Sequence, residues 1–166
     1  MELHHKQFSL IKFLFTGTIT AIWASMASPA LSQAQAKGIS DFEARTTIAN
    51  INRAQVFYFL ENDDFADTLS GLGRRFPSET INYKYGIVVP QGLDYPAAAH
   101  QAQPKKPANK AVIGGVALAL IAGEPLLVSL RCLATLSPAQ GGPNGTQLPI
   151  FGANGAISCP TGYRSI

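Results

Sequence analysis

From Phe42 to Leu60 the chain contains neither Gly nor Pro, and this stretch constrains the fold more than any other. Ala44, Ile48, Ile51, Gln55 and Tyr58 recur at helical spacing with Phe59 beside them, which defines one face to be covered. Arg45, Thr46, Asn52, Arg53 and Glu61 fall where they can stay wet. Ser40 followed three residues later by Glu43 reads as a capping box, so the helix is expected to start at Ser40. It is expected to stop near Asn62, because Glu61, Asp63 and Asp64 are unfavourable at the negative end of a helix dipole.

Everything downstream reads as sheet and loop. Phe65, Leu69 and Leu72 can fold back onto the helix from a loop spanning Asp63 to Pro77. Ile81 to Pro90 alternates and is rich in aromatic and β-branched residues, which predicts a strand. Gln91 to Asn109, rich in Pro, Ala and Gln, reads as a long exposed connection. Lys110 to Ile121 predicts a second strand with a bulge marked by Gly114-Gly115, and Gly123-Glu124-Pro125 turns the chain into a hairpin partner from Leu126 to Ala134. Ser137 to Gly155 is Gly/Pro/Asn loop, followed by a short final segment, Ile157 to Pro160.

The series Asn52-Arg53-Ala54-Gln55, Tyr58, Leu60-Glu61-Asn62, Phe65-Ala66, Leu69, Leu72-Gly73 resembles the helix-to-loop junction of type IV pilins, in particular the pilin-like proteins of cyanobacteria. Asn82-Tyr83-Lys84-Tyr85, INYKY here against ENYKY in the family, and the late cysteines extend the resemblance over residues 40–160. It implies an α+β head: one long N-terminal helix packed on a small antiparallel sheet, with a C-terminal disulfide loop. It also implies a structural role among other pilin-like subunits or assembly proteins. The alternative is a soluble periplasmic or secreted binding module built on the same head.

The two cysteines, Cys132 and Cys159, are compatible with one disulfide in an oxidising compartment, or with two buried thiols packing as small hydrophobes. The resemblance supports the bond, since the cyanobacterial pilin-like proteins carry a cysteine after the corresponding strand and another in a Cys-Pro word near the end.

Residues 1–36 carry a short basic lead (His4, His5, Lys6), an apolar run and the small-residue segment Ala34-Gln35-Ala36, the three parts of a secretory signal peptide. Cleavage after Ala36 leaves residues 37–166 as the domain. A second reading is a retained membrane helix: Phe8-Ser9-Leu10-Ile11 resembles the start of a pilin, and Phe13 to Ala36 is uncharged. Prepilin processing expects Gly where Gln7 stands, and pilins carry Glu where Lys12 stands. Lys12 near a helix end can snorkel at small cost, so it moves a span to Phe13 onward without excluding it. Both readings export residues 40–166, to the periplasm or cell surface.

Thirteen Lys and Arg against ten Asp and Glu, a net charge of +3, show no basic block beyond Arg74-Arg75 and Lys105-Lys106, and nucleic acid binding is not indicated. Catalytic inventory is thin. His4 and His5 lie in the export segment, leaving His100, in the stretch read as connection, with no nucleophile paired to it. There is no Cys-x-x-Cys, no phosphate loop around Gly114-Gly115, and too few Cys and His for zinc. The acidic run Asn62-Asp63-Asp64 with Asp67 lacks the spacing of a calcium loop and reads as a solvated helix end. Tyr58, Tyr83 and Tyr85 read as core or sheet aromatics. The expected protein has no catalytic, metal or cofactor residues.

Overall fold

The helix is longer than its capping box suggests. In the computed structural model, which describes residues 29–73 and 76–166, α1 spans Pro29–Asn62, 34 residues or about 51 Å at ~1.5 Å rise per residue. The expected start at Ser40 is therefore overturned: Ser40 is interior, and both carboxylate oxygens of Glu43 bond to residues of the sheet side instead. The expected stop is met. Asp63 takes a left-handed conformation (φ 57°) and its N–H donates to Phe59 O at 2.8 Å, closing the helix.

Five antiparallel strands form one sheet: β1 (Tyr83–Val88), β2 (Ala97–Pro104), β3 (Val112–Ile121), β4 (Glu124–Ala134) and, after a smaller hairpin of β5 (Ile150–Phe151) and β6 (Ile157–Ser158), β7 (Tyr163–Ser165). The order across the sheet is β1-β2-β3-β4-β7. Helix plus antiparallel sheet makes the α+β class expected from the sequence. The β3–β4 hairpin turns on Ala122 and Gly123, both at positive φ, so Glu124 and Pro125, expected in the turn, already belong to β4.

The stretch expected as an exposed connection holds β2, which lies between β1 and β3 with its first six residues buried. Its alternation is invisible because both faces are covered. His100, Ala98 and Ala102 meet the helix side, while on the opposite face Gln101 donates to Thr146 O at 2.7 Å from the C-terminal tail. Three layers result: helix, sheet and tail. Alanine at 97, 98, 99 and 102 keeps that strand thin enough to be sandwiched.

No bulge interrupts Gly114-Gly115; Gly114 pairs with Arg131 and Gly115 with Leu130 in continuous register. These glycines thin the sheet. A Cβ on Gly114 would lie 2.5 Å from Ile48 Cγ2, and one on Gly115 3.2 Å from the Phe151 ring, so helix and tail press in from opposite faces. The main core joins Ala44, Ile48, Ile51, Tyr83, Tyr85, Val112 and Leu133. Ahead of β1, the segment 78–80 runs along its outer side: Thr80 N–H donates to Tyr83 O and Tyr85 N–H to Ser78 O.

The tail is fixed at three points. Cys132 Sγ and Cys159 Sγ are bonded at 2.03 Å, β7 pairs with the end of β4, and Tyr163 donates to Gln147 Oε1 at 3.0 Å. Among the described residues no helix is long and apolar enough to cross a membrane. Residues 1–28, which hold most of the expected export segment, and Arg74-Arg75 lie outside the described residues.

Candidate functional site: the polar seam and outer face of the helix

Beside Asp41, whose Oδ1 accepts from Lys110 N–H at 3.2 Å, the polar side chains of Glu43, Asn52 and Gln55 tie α1 to the sheet side and to the loop that follows the helix. Glu43 is the first. Its Oε1 accepts from Thr80 Oγ1 at 2.6 Å and Tyr85 OH at 3.1 Å, and its Oε2 from Asn82 Nδ2 at 2.7 Å. Burial pushes the Glu43 carboxyl up, but these three donors and nearby Lys106 outweigh it and hold the group below its ordinary range. Burial raises the Tyr85 hydroxyl to about 12, with the Glu43 carboxylate adding to the effect, so it remains a donor. Tyr83 OH donates to Lys110 O at 3.0 Å. The Asn-Tyr-Lys-Tyr word thus acts as the clasp between β1 and the helix, and the residue that departs from the family word, Ile81, is 76% exposed and outside the clasp.

Asn52 is the second, and it is buried rather than wet as expected. Its Nδ2 donates to Leu130 O at 3.0 Å and Gly115 O at 3.4 Å, which leaves Oδ1 to accept from His100 Nδ1 at 2.7 Å. Asn52 sits in the space that Gly114 leaves open, since a Cβ there would come within 2.6 Å of Oδ1. His100, expected in a loop, is fully buried on β2, and its Nε2 has no partner among the described residues. Burial drives the imidazole down to about 3, so the ring is neutral, with its proton on Nδ1 as the Asn52 contact requires.

Gln55 is the third. Its amide donates to Ala66 O at 2.7 Å and accepts from Ala66 N–H at 3.0 Å, pairing with the loop as a peptide group would. Phe65 then stacks on Phe59 with ring centroids 4.6 Å apart. Gln55 and Phe65-Ala66, two words of the resemblance, are thereby one clamp.

The described residues leave the opposite side of the helix uncovered. Phe42 (68% exposed), Phe57 (53%) and Leu60 (68%) project with Arg53 from the face turned away from Ile48 and Ile51. At the C-terminal end of α1 a cleft of about 710 Å³ lies between the 64–67 loop and the β1–β2 connection, with Tyr58, Asp64, Phe65, Asp94 and Tyr95 on its walls. Asp64 Oδ1 accepts from Phe65 N–H, and no group of three His, Cys, Asp or Glu among the described residues could hold a metal ion.

A polar-clasped helix on an antiparallel sheet, with a disulfide-closed tail behind it, defines a pilin-like head. A sequence profile of the type IV pilin-like G and H family matches residues 41–160, and the chain belongs to that family. No curated protein and no solved structure matches the chain. The matched segment begins two residues before Glu43 and ends one residue after Cys159, so it holds all three seam residues and both cysteines.

Proposed function

We propose that this protein is an exported, non-enzymatic subunit of a type IV pilus or type II-secretion-like assembly. Residues 1–36 direct export, and in a subunit of this kind they stay on as a membrane helix, which cleavage after Ala36 would remove. The observation that carries this reading is the division of α1: one face is committed to the sheet and the following loop through Glu43, Asn52 and Gln55, and the other leaves Phe42, Phe57 and Leu60 uncovered by the described residues. Large apolar side chains at helical spacing on an open face suit packing against the helices of neighbouring subunits. The polar side chains of the interior are engaged in holding the fold, which supports a structural role over catalysis. His100 is buried beyond the reach of substrate.

Phe57→Asp with Leu60→Asp, both on exposed positions, is expected to leave the fold intact and to abolish recovery of the protein in sheared surface filaments. Unchanged recovery would overturn the assembly reading. A soluble exported binding module is the second reading, and the cleft beside Tyr58 and Tyr95 favours it. N-terminal sequencing separates the two. A start at Lys37, expected if signal peptidase reads Ala34-Gln35-Ala36, leaves a soluble head. A start at Phe8 keeps the anchor and the filament role.

A further inference from the structure

Charge is segregated along the strands. Asp41 lies beside Lys110, whose N–H it accepts at 3.2 Å, so the N-terminal side of the described head shares one end of the molecule with the β2–β3 turn. That end exposes Lys84, Lys105 and Lys106, with Lys110 and with Arg164 on β7 near it, and these cations outnumber its carboxylates Asp41, Glu43 and Glu79; Lys105 Nζ donates to Thr80 O and Lys106 Nζ to Asn82 Oδ1. The other end, where α1 stops, exposes Asp63, Asp64, Asp67 and Asp94, with Glu61 and Glu124 adjoining. The described segments that build it, 54–73, 86–98 and 116–128, contain no Lys or Arg, and Arg74-Arg75, next in the chain, lie outside the described residues. Among the described residues the only ion pair is Lys105 with Glu79 at 3.4 Å, between exposed groups at the basic end, and none of the acidic-end carboxylates has an ion-pair partner among those residues. The carbonyl end of α1 adds to the negative potential there.

The two ends also differ in shape. The acidic end is concave, holding the cleft with Tyr58 and Tyr95, whereas the basic end carries the exposed turn Lys105-Lys106-Pro107-Ala108. We propose that these are the two halves of one contact between copies of this chain: the Lys105-Lys106 turn of one copy seats in the Asp64, Asp67 and Asp94 cleft of the next. The lysine stems lie along the tyrosine rings while their ammonium groups meet the carboxylates. The halves sit at opposite ends of the same strands, so the contact is heterologous and does not close; it adds copies in a line. This rests on the subunit reading above, and it specifies what the heads do in such an assembly, independently of the outer helix face.

The test is self-association of the full exported chain, followed by sedimentation. Association is expected at about 0.01 M salt and is expected to be lost near 1 M, as the screening length falls from about 30 Å to about 3 Å. Asp64→Lys with Asp67→Lys, and separately Lys105→Glu with Lys106→Glu, each weaken association about tenfold or more, and an equimolar mixture of the two variants restores association, with the two variants neighbouring each other. Carbodiimide coupling of a mixture of isotope-labelled and unlabelled protein should join 105–106 of one copy to 64–94 of another. Circular dichroism of each variant shows whether the fold is kept, and these exposed positions are expected to keep it. No association at low salt, association indifferent to charge reversal, or cross-links only within one copy would overturn the proposal. Filament recovery that fails with Phe57→Asp and Leu60→Asp would still support the subunit reading in that event.

Discussion

The neutral His100 makes the stability of the head depend on pH in a window that can be worked out. The unfolded imidazole titrates near its ordinary 6.5, and the folded one is driven by burial to about 3. Between those values the unfolded chain binds a proton that the folded chain refuses, so stability falls as pH is lowered through 6.5 and goes on falling until about 3. Each pH unit in that window removes about 1.4 kcal/mol, and moving from about pH 7.5 to about pH 5 removes about 2 kcal/mol. The Glu43 contribution does not intrude: its folded value is depressed from an ordinary 4.5, so its stabilisation is intact above that pH and lost only below it. Urea unfolding at the two pH values, for the parent and for His100→Gln, isolates the effect, because glutamine can donate to Asn52 but cannot titrate. The parent is expected to lose about 2 kcal/mol more than the variant over this range. Equal losses would refute the reasoning and place His100 in contact with water in the native state.

Three further outcomes follow from the packing. Ile51 is fully buried between helix and sheet, so Ile51→Asp should cost about 3 kcal/mol or more and Arg53→Ala almost nothing, as thermal melts will show. Gly114→Ala drives a methyl to 2.5 Å from Ile48 and should destabilise by about 1–3 kcal/mol, whereas Gly86→Ala, with 3.9 Å of clearance, should be tolerated; chemical denaturation compares them. Alkylation before and after reduction, read by mass spectrometry, should find Cys132 and Cys159 protected until reductant is added, and reduction should cost on the order of 3–4 kcal/mol for a loop of this length.

The helix face was legible because its periodicity is long and strong: Ala44, Ile48, Ile51 and Gln55 are all buried where spacing put them. The capping box misled because Ser40 and Glu43 satisfy a local rule, and three donors from the sheet side compete for the same carboxylate. Strand β2 was illegible for a different reason. Ala-Ala-Ala-His-Gln-Ala-Gln has neither β-branched residues nor alternation, and it is a strand because its small side chains fit between two layers. With β2 missed, His100 looked like a loop residue, and Asn52 lost the partner that explains why an amide is buried at that place on the helix. Gly114-Gly115 gave a true signal of irregular demand, but a glycine pair in a strand reports close approach as readily as a bulge, and spacing alone does not separate the two. The disulfide was readable through family resemblance, while the layer it holds down was not.

The segment 78–80, bonded along the outside of β1, bears on how such a protein can be concentrated without harm. An unpaired outer strand offers a template on which a second chain can extend the sheet, the first step toward amyloid-like growth. Here Thr80 N–H and Tyr85 N–H are already satisfied along one margin, and at the other margin β7 is only three residues long. A molecule with both margins blunted in this way can be crowded and still meet its neighbours through side chains, with less of the main-chain ladder offered to them.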